Sequence, residues 1–200
     1  MLVIGLTGPS GAGKGTVAEL FAGFGLPVID ADRVYHELLV PPSACLNDLT
    51  AHFGGRILNE DGTLNRRILG QTVFGDPTAL EQLNAIAHRH VMDEIRDRMK
   101  RLRRSGVRAV ILDAPQLFEA EADRDCNVIV SVLADSRLRL ERIMARDGID
   151  SEAAQSRMAA QKSDGFFRTH SNYVIENNGS PDQLYPLIKR ILTETGVLIP

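Results

Sequence analysis

The chain has 200 residues, of which 44% are hydrophobic and 24% charged, and its formal net charge is −3. This composition is typical of a globular protein and excludes a disordered, collagen-like or coiled-coil chain. No apolar stretch approaches the ~20 residues that cross a bilayer, and the N-terminus has no signal-peptide pattern, so we expect a cytoplasmic protein without membrane association. The weak negative charge offers no general attraction for nucleic acid, so an anionic ligand requires a local site.

The first third of the chain predicts two strand–helix units. The apolar run Leu2–Thr7 ends in closely spaced glycines, which is typical of a buried strand that enters a tight loop. Apolar residues at helical spacing predict a helix from Thr16 onward. A second short strand over residues 27–29 ends at Asp30 and leads into a helix over residues 31–39.

The rest of the chain predicts one long helix, three more strands and several shorter helices. The middle third is largely helical, and its long helix opens at Asp76-Pro77 and keeps helical apolar spacing to Leu102. The third strand covers residues 107–112 and ends at Asp113. Further strands are expected over residues 126–133 and 173–175, and further helices over residues 137–146, 151–161 and 181–195.

Short apolar strands that alternate with helices predict an α/β fold, with a mainly parallel sheet of about five strands and helices on both faces. We expect a single domain over residues 1–200, with a helical insertion over residues 41–104. A chain of this length forms a hydrophobic core without disulfides. Cys45 and Cys126 are therefore interpreted as packing residues.

The most informative segment is Gly8-Pro-Ser-Gly-Ala-Gly-Lys-Gly-Thr16, between the first strand and the first helix. Its glycines let backbone N–H groups turn inward around a phosphate, and the Lys14 ammonium can reach the terminal phosphates. The pattern predicts a P-loop NTPase-type three-layer fold, with a simple glycine-rich turn as the alternative. The nucleotide-binding residues expected here are Gly11, Ala12, Gly13, Lys14, Gly15 and Thr16.

The hydroxyl that usually binds the metal is displaced in this loop. The strict motif places Ser or Thr directly after the lysine, where this chain has Gly15, with Thr16 one position later. We expect Thr16 to hydrogen-bond a phosphate and Mg²⁺ to be held through water, its direct ligands being unknown. A GTPase is not expected, because the chain has no Asp-x-x-Gly and only half matches the guanine motif at Gln161-Lys-Ser-Asp164.

Three carboxylates follow predicted strands. Asp30 and Asp32 lie two apart at the end of the second strand, so both face the side of the phosphate loop if the extended backbone continues. A carboxylate there can orient and deprotonate an attacking hydroxyl, and a helix N-cap is the alternative for either residue. Asp113 ends the third strand, where it either orients a metal ion or serves as a cap or structural acceptor.

Further motifs occur in order along residues 2–180: Gly5-Leu-Thr-Gly8 with the loop, Asp30-Ala-Asp32, Phe53-Gly54, Asp61-Gly-Thr-Leu-Asn-Arg66, Val73-Phe74, Leu83-Asn84 with His88, Pro115-Gln-Leu-Phe-Glu119 and Asn177-Asn-Gly179. The ordered series resembles the dephospho-CoA kinase family. That resemblance implies ATP-dependent phosphorylation of the ribose 3′-hydroxyl of dephospho-coenzyme A, with Mg²⁺, in the last step of coenzyme A synthesis.

The same resemblance assigns roles to parts of the chain. It implies that Asp32 is the base, that the middle helical region holds the pantetheine end of the substrate, and that an arginine-bearing helix within about residues 135–165 is a lid over ATP. The substrate-binding residues that we expect are Asp32, Arg66, His88 and Pro115. A surface ion pair is the alternative for Arg66, and ordinary partial burial is the alternative for His88.

Charged and amide side chains late in the chain are further candidates. Arg139, Arg142 and Arg146 share one helix face, because they are three and four residues apart. They can deliver guanidinium groups to the transferring phosphoryl group, and Arg142 is the choice for transition-state charge, with a solvated face as the alternative. Asn177 and Asn178 either border adenine or form a turn. The catalytic residues that we expect are Asp32, Lys14 and Arg142.

Two departures from the family pattern leave other functions open. Arg89 stands where the family has proline, which bears on the local helix start and on His88, and Gln116 replaces a leucine. A cytidylate-type nucleoside monophosphate kinase has a very similar loop, and a nucleotide-binding regulator without turnover is the second alternative. The expected partner is a small molecule, dephospho-CoA, and the chain is a monomer or a small homo-oligomer.

Overall fold

The computed structural model describes residues 1–198 and contains one five-stranded sheet within them. The strand order is β2-β3-β1-β4-β5, and β1 pairs in parallel with both β3 and β4, as β4 does with β5. The predicted α/β fold class is confirmed. The strands are β1 (Leu2–Thr7), β2 (Val28–Asp30), β3 (Ala109–Asp113), β4 (Val128–Leu133) and β5 (Tyr173–Glu176).

The helices lie close to where the sequence predicts them, with the long helix running to residue 104. None of the helices among residues 1–198 is long and apolar enough to cross a membrane. The described α-helices are α1 (Lys14–Gly23), α2 (Ala31–Leu38), α3 (Ala44–Phe53), α4 (Arg66–Val73), α5 (Pro77–Arg104), α6 (Ser136–Asp147), α7 (Ser151–Ala159), α8 (Asp164–His170) and α9 (Leu184–Glu194).

The helices of the structure differ from the predicted helices in two places. The closing helix begins as a 3₁₀ turn over Pro181–Gln183 before α9 starts. The sequence reasoning missed α8, which has only seven residues. Its N-cap is Ser163, whose Oγ accepts a hydrogen bond from the N–H of Phe166 at 3.2 Å. A helix this short has too few turns for an apolar period to emerge from the sequence.

The chain forms two compact units, and the first contains the sheet, with residues 1–29 and the described residues from 102 onward. One face of this sheet packs against α1 and α9. Val17 and Phe21 of α1 and Ile188 of α9 are completely buried there, because apolar residues recur at helical spacing on the inner side of each helix. The strands contribute Ile4, Leu6, Ile111, Val130, Val132 and Ile175 to this core.

The second unit, Asp30–Arg101, is helical and has its own apolar core. Ser43 and Asn65 cap α3 and α4 by accepting from the N–H groups of Leu46 and Ile68. The predicted insertion over residues 41–104 falls largely in this unit, and its role in substrate binding stays a prediction. The core consists of Leu39, Cys45, Leu49, Phe53, Ile57, Leu69, Val73 and Ala79.

Cys126 packs against the face of β1 opposite to α1 and α9. A β-carbon at Gly5 would lie 2.7 Å from the Cys126 Sγ atom, so the thiol fills the space that a side chain on β1 would take. The Cys126 thiol donates to the Ala122 carbonyl oxygen at 3.4 Å. Burial, reinforced by Asp125 and Asp123, raises the pKa of this thiol to about 12. Both cysteines are free, as their interpretation as packing residues requires.

We expect the native Cys126 thiol to react with iodoacetamide near pH 8 at least about 100-fold more slowly than in the urea-unfolded chain, because only the thiolate is a nucleophile. The folded pKa lies above the unfolded one, so the protection holds at neutral pH and is lost as the pH rises toward about 12. Peptide mass spectrometry of timed samples measures the rate. Cys126→Ser, in which Cys45 is the remaining thiol, identifies the signal. Equal labelling of native and unfolded chains would contradict the burial.

Candidate active site

The phosphate loop, residues 8–16, connects the carboxyl end of β1 to the start of α1 at Lys14. Gly11 adopts a φ of 78°, and a β-carbon there would lie 2.6 Å from the Arg139 carbonyl oxygen. A larger residue would therefore be strained and would also push the loop away from α6. The close packing of this loop therefore requires glycine at position 11 of the motif that the sequence presents as a phosphate loop.

The Lys14 ammonium pairs with the carboxylate of Asp113. The two meet because β3 lies beside β1, with Asp113 in register with Leu6. Lys14 Nζ donates to Asp113 Oδ1, and the two side chains are only 18% and 8% exposed. Little water screens this pair, so a charged ligand at the loop interacts with both groups strongly. The structure thus brings together two residues that the sequence singled out separately.

The three arginines of α6 share one face, and all of them contact the phosphate loop. Arg139 Nε donates to the Ser10 carbonyl oxygen at 3.0 Å, and Arg142 Nη1 donates to the Gly11 carbonyl oxygen at 3.2 Å. Arg146 Nη2 donates to Ser10 Oγ at 3.2 Å. The alternative of a solvated face is therefore wrong for Arg139 and Arg142, whereas Arg146 is exposed and also pairs with Asp147 at 2.8 Å.

Arg139 is the most buried of these arginines, with 6% of its surface exposed. Burial lowers the pKa of its guanidinium, and Asp164, whose Oδ1 accepts from Arg139 Nη1 at 3.2 Å, partly offsets that effect. A buried guanidinium is stable only when its donors are satisfied. The loop carbonyl, Asp164 and Gln161 supply these acceptors, so Arg139 ties the loop to the start of α8.

Ser10 is held through each of its polar groups. Its carbonyl and hydroxyl oxygens accept from Arg139 and Arg146, and its N–H donates to Gln161 Oε1 at 3.0 Å. The sequence reasoning missed the contact with Gln161, which it treated only as part of a half-matching guanine motif. No local signal marks Gln161, because its partner lies 151 positions away along the chain.

The two asparagines that follow β5 have different partners. Asn177 is buried, and its Nδ2 donates to the Ala12 carbonyl oxygen at 2.8 Å. Asn178 makes a reciprocal pair with Asp135, in which its Oδ1 accepts from the Asp135 N–H at 2.8 Å and its Nδ2 donates to Asp135 Oδ1 at 3.0 Å. The sequence predicted a position beside adenine or a turn and did not predict the contact of Asn177 with the loop.

The arrangement of the Asp30-Ala-Asp32 segment differs from the prediction. Asp30 ends β2 and caps α2, accepting the Arg33 N–H at 3.1 Å. The extended backbone stops there, because the cap starts the helix at the next residue. Asp32 therefore lies in the first turn of α2 and is exposed. The expectation that both carboxylates face the same side required the extended backbone to continue, and this condition is not met.

The other candidate substrate residues are spread over both units. In the helical unit, Arg66 is the exposed first residue of α4, with Nη1 3.4 Å from His36 Nε2, and His88 is half-buried on α5. The Arg89 position does not interrupt α5, and Arg89 Nη2 donates to Asp48 Oδ2 at 2.6 Å. In the sheet unit, Pro115 follows β3, and its carbonyl oxygen accepts from Thr7 Oγ1 at 3.3 Å.

The residues of the phosphate loop do not form a metal cage of their own. Within residues 1–198, no group of three or more His, Cys, Asp or Glu side chains could hold a metal ion. Gly15 brings no donor side chain, and the first hydroxyl of α1 belongs to Thr16, in its first turn. Most ligands of a metal ion at this loop must therefore be phosphate oxygens and water molecules.

Comparison with known proteins identifies the family of the chain. The sequence model of the dephospho-CoA kinase family matches residues 2–183. A dephospho-CoA kinase of Syntrophotalea carbinolica is 39% identical over a 196-residue alignment that covers 96% of this chain and 93% of the relative. The chain belongs to the dephospho-CoA kinase family. The predicted family, enzyme activity and place in coenzyme A synthesis are confirmed.

Other relatives of the dephospho-CoA kinase family and solved structures agree. A dephospho-CoA kinase of Arabidopsis thaliana is 35% identical, in an alignment that covers 97% of this chain and 84% of the relative. The crystal structure of TT1252 from Thermus thermophilus has a TM-score of 0.82 at 32% identity, over 96% of this chain and 97% of that one. Dephospho-CoA kinase from Campylobacter jejuni has a TM-score of 0.73 at 24% identity, over 98% of each chain. The last likeness shows the fold alone.

We expect Lys14→Ala to lower kcat/KM for ATP at least ~100-fold, because a fixed ammonium at the phosphates stabilises the charge of the transferring group. Steady-state ADP release with dephospho-CoA as acceptor measures the effect. Lys189→Ala, which removes an exposed lysine of α9, is the matched control and should stay within about twofold of the parent chain, as distant surface changes usually do.

Thermal unfolding of both variants shows whether a loss of activity reflects a loss of fold, since Lys14→Ala leaves Asp113 without this partner. A Lys14→Ala chain that folds and keeps ATP turnover within a few-fold of the parent would remove Lys14 from the site.

Proposed function

We propose that the protein transfers the γ-phosphoryl group of ATP directly to the ribose 3′-hydroxyl of dephospho-CoA, and that the phosphate loop binds the triphosphate. The observation that carries this proposal is the way in which the loop is held. Carbonyl oxygens of Ser10, Gly11 and Ala12 accept hydrogen bonds from side chains of α6 and from Asn177. A peptide whose carbonyl is bound on one side presents its N–H on the other, which favours a phosphate at the N–H groups of Gly11 and Gly13. The Ala12 N–H instead donates to the Pro9 carbonyl oxygen at 3.2 Å.

Lys14 supplies positive charge to the transferred group in this proposal, and Arg142 adds positive charge from the carbonyl side of the loop. Lys14 is held at the carboxyl edge of the sheet by Asp113, within a largely buried pair. Arg142 is fixed by the carbonyl oxygens of Gly11 and Asn177, at 3.2 and 3.1 Å. Cations that are already in place when charge develops stabilise a phosphoryl-transfer transition state without reorganisation.

We also propose that ATP acts together with Mg²⁺. The donor set fits an ion that is carried by the nucleotide, because Mg²⁺ in kinases keeps several waters and takes one or two protein carboxylates besides the phosphates. Asp113 is the carboxylate at this loop, and Thr16 is the hydroxyl at the start of α1. When bound, the ion would neutralise phosphate charge, and Asp113 at the end of β3 is the residue that would hold it.

Asp32 is the proposed base for the acceptor hydroxyl. It follows β2, and the carboxyl ends of parallel strands are where ligands bind in open α/β sheets. Asp30 is occupied as the cap of α2, whereas no hydrogen bond or ion pair among residues 1–198 engages the Asp32 carboxylate. An exposed carboxylate of this kind is able to accept a hydroxyl proton when the acceptor binds.

Residues outside the loop complete the proposed substrate contacts. Arg66 offers an exposed guanidinium at the start of α4, suited to a phosphate of dephospho-CoA. His88 and Pro115 are proposed as further contacts of the acceptor, and the segment over about residues 135–165 as the lid over ATP. The cytoplasmic location and the small oligomeric state stay predictions.

We expect ADP release in a coupled assay to require dephospho-CoA, at a rate at least ~100-fold above that with CMP or with no acceptor, since rates of this size reflect an oriented acceptor. Phosphorus NMR of the product should show a new 3′-phosphomonoester. Faster turnover with CMP would favour a nucleoside monophosphate kinase. ADP formation that is independent of any acceptor, or no turnover at all, would contradict a kinase for this substrate.

We expect Asp32→Asn to lower kcat by about 10²–10⁴, the usual contribution of a general base, with the dissociation constant of ATP unchanged. Single-turnover phosphoryl transfer and calorimetric ATP binding measure the two quantities. Asp30→Asn is the matched control, because asparagine caps a helix as well as aspartate and should leave kcat within about threefold. If Asp32→Asn keeps kcat within a few-fold of the parent, Asp32 is not the base.

A further inference from the structure

Asn177 is fixed at three points beside the phosphate loop. It follows β5, and its N–H donates to the Leu133 carbonyl oxygen at 2.8 Å, which extends the pairing of β5 with β4 by one residue. Its carbonyl oxygen accepts from Arg142 Nη2 at 3.1 Å. Its side chain, in a residue that is 6% exposed, donates from Nδ2 to the Ala12 carbonyl oxygen at 2.8 Å.

Gly13 leaves the space that the Asn177 amide occupies. A β-carbon at Gly13 would lie 2.0 Å from Asn177 Nδ2, and Gly13 has a φ of 88°. Both facts require glycine at this position, one through the backbone conformation and one through the contact with the amide. The loop therefore passes over Asn177 so closely that the two are fitted to each other.

The hydrogen bond to Ala12 sets the direction of the next N–H group. In a trans peptide the carbonyl and the N–H point in opposite directions. The Ala12 carbonyl points to Asn177, so the Gly13 N–H points to the other side of the loop, where a phosphate of the proposed substrate binds. The second donor to this carbonyl, Arg142 Nη1, lies at 3.5 Å and is the weaker of the two.

We propose that Asn177 is a positioning residue for the nucleotide phosphates, which acts through the Ala12 carbonyl and the orientation of the Gly13 N–H. This inference rests on the proposed function, because it assumes that the loop binds the triphosphate. In this role Asn177 orients the loop that binds phosphate and contacts neither adenine nor the acceptor.

Asn178 provides the matched control. It has the same side chain and lies in the same segment, but its hydrogen bonds go to Asp135 and not to the loop. The comparison of Asn177→Ala with Asn178→Ala therefore separates the bond to Ala12 from a general disturbance of the segment after β5.

The test measures ATP binding by calorimetry, inhibition by inorganic tripolyphosphate against ATP, and the KM for dephospho-CoA. We expect Asn177→Ala to raise the dissociation constant of ATP and the inhibition constant of tripolyphosphate by the same factor, about tenfold, as the loss of one buried hydrogen bond does. The KM for dephospho-CoA should stay within about twofold, as should every constant of Asn178→Ala. Asn177→Asp, which keeps the shape of the side chain but cannot donate to a carbonyl and adds a negative charge beside the loop, should raise both constants at least as much as Asn177→Ala.

Other outcomes would overturn the role of Asn177. Weaker binding of ATP with unchanged inhibition by tripolyphosphate would place Asn177 at the nucleoside. Unchanged constants in Asn177→Ala would show that Asn177 does not position the phosphates. A failure of both Asn177 variants to fold would show that Asn177 stabilises the fold as a whole and has no specific role at the phosphates. A parent chain that binds neither ATP nor tripolyphosphate would contradict the proposed function itself, and with it this inference.

Discussion

A loop that binds phosphate with its N–H groups must find donors for its carbonyl oxygens on its other side, because each peptide has both groups and neither is buried without a partner. In this protein the donors come from distant parts of the chain. Arg139 and Arg142 on α6 and Asn177 after β5 bind the carbonyls of Ser10, Gly11 and Ala12. The sheet order, which places β4 next to β1 and β5 next to β4, is what brings these side chains to the loop.

The same arrangement explains how a chain of net charge −3 can hold a polyanion. Positive charge is concentrated around one loop, with Lys14 on one side and the arginines of α6 on the other. The cations are fixed by carbonyl oxygens and carboxylates, so little side-chain entropy remains to be lost when a ligand binds. Preorganised charge of this kind is what phosphoryl transfer requires, since the protein contributes mainly positioning and electrostatics.

The sequence predicted the features that depend on neighbouring residues. The strand–loop–helix around Lys14 and the long helix from Pro77 follow from glycine chemistry and apolar spacing. The common face of the α6 arginines follows from their spacing of three and four residues. Features that depend on distant partners were not predictable, such as the choice of Asn177 over Asn178 as the partner of the loop, which joins positions 165 residues apart. The sequence could not decide whether Asp30 is a helix cap or a catalytic residue, because a carboxylate after a strand suits both roles.

The central claim is that the loop is preorganised: the side chains behind it hold its N–H groups in the orientation that phosphate requires. A crystal structure with bound ADP tests this most directly. The account predicts β-phosphate oxygens at about 2.7–3.2 Å from the nitrogens of Gly13, Lys14 and Gly15, with the Ala12 carbonyl still bound by Asn177. A nucleotide seated elsewhere, or a loop that reverses its peptides and releases Asn177 when ADP binds, would contradict it.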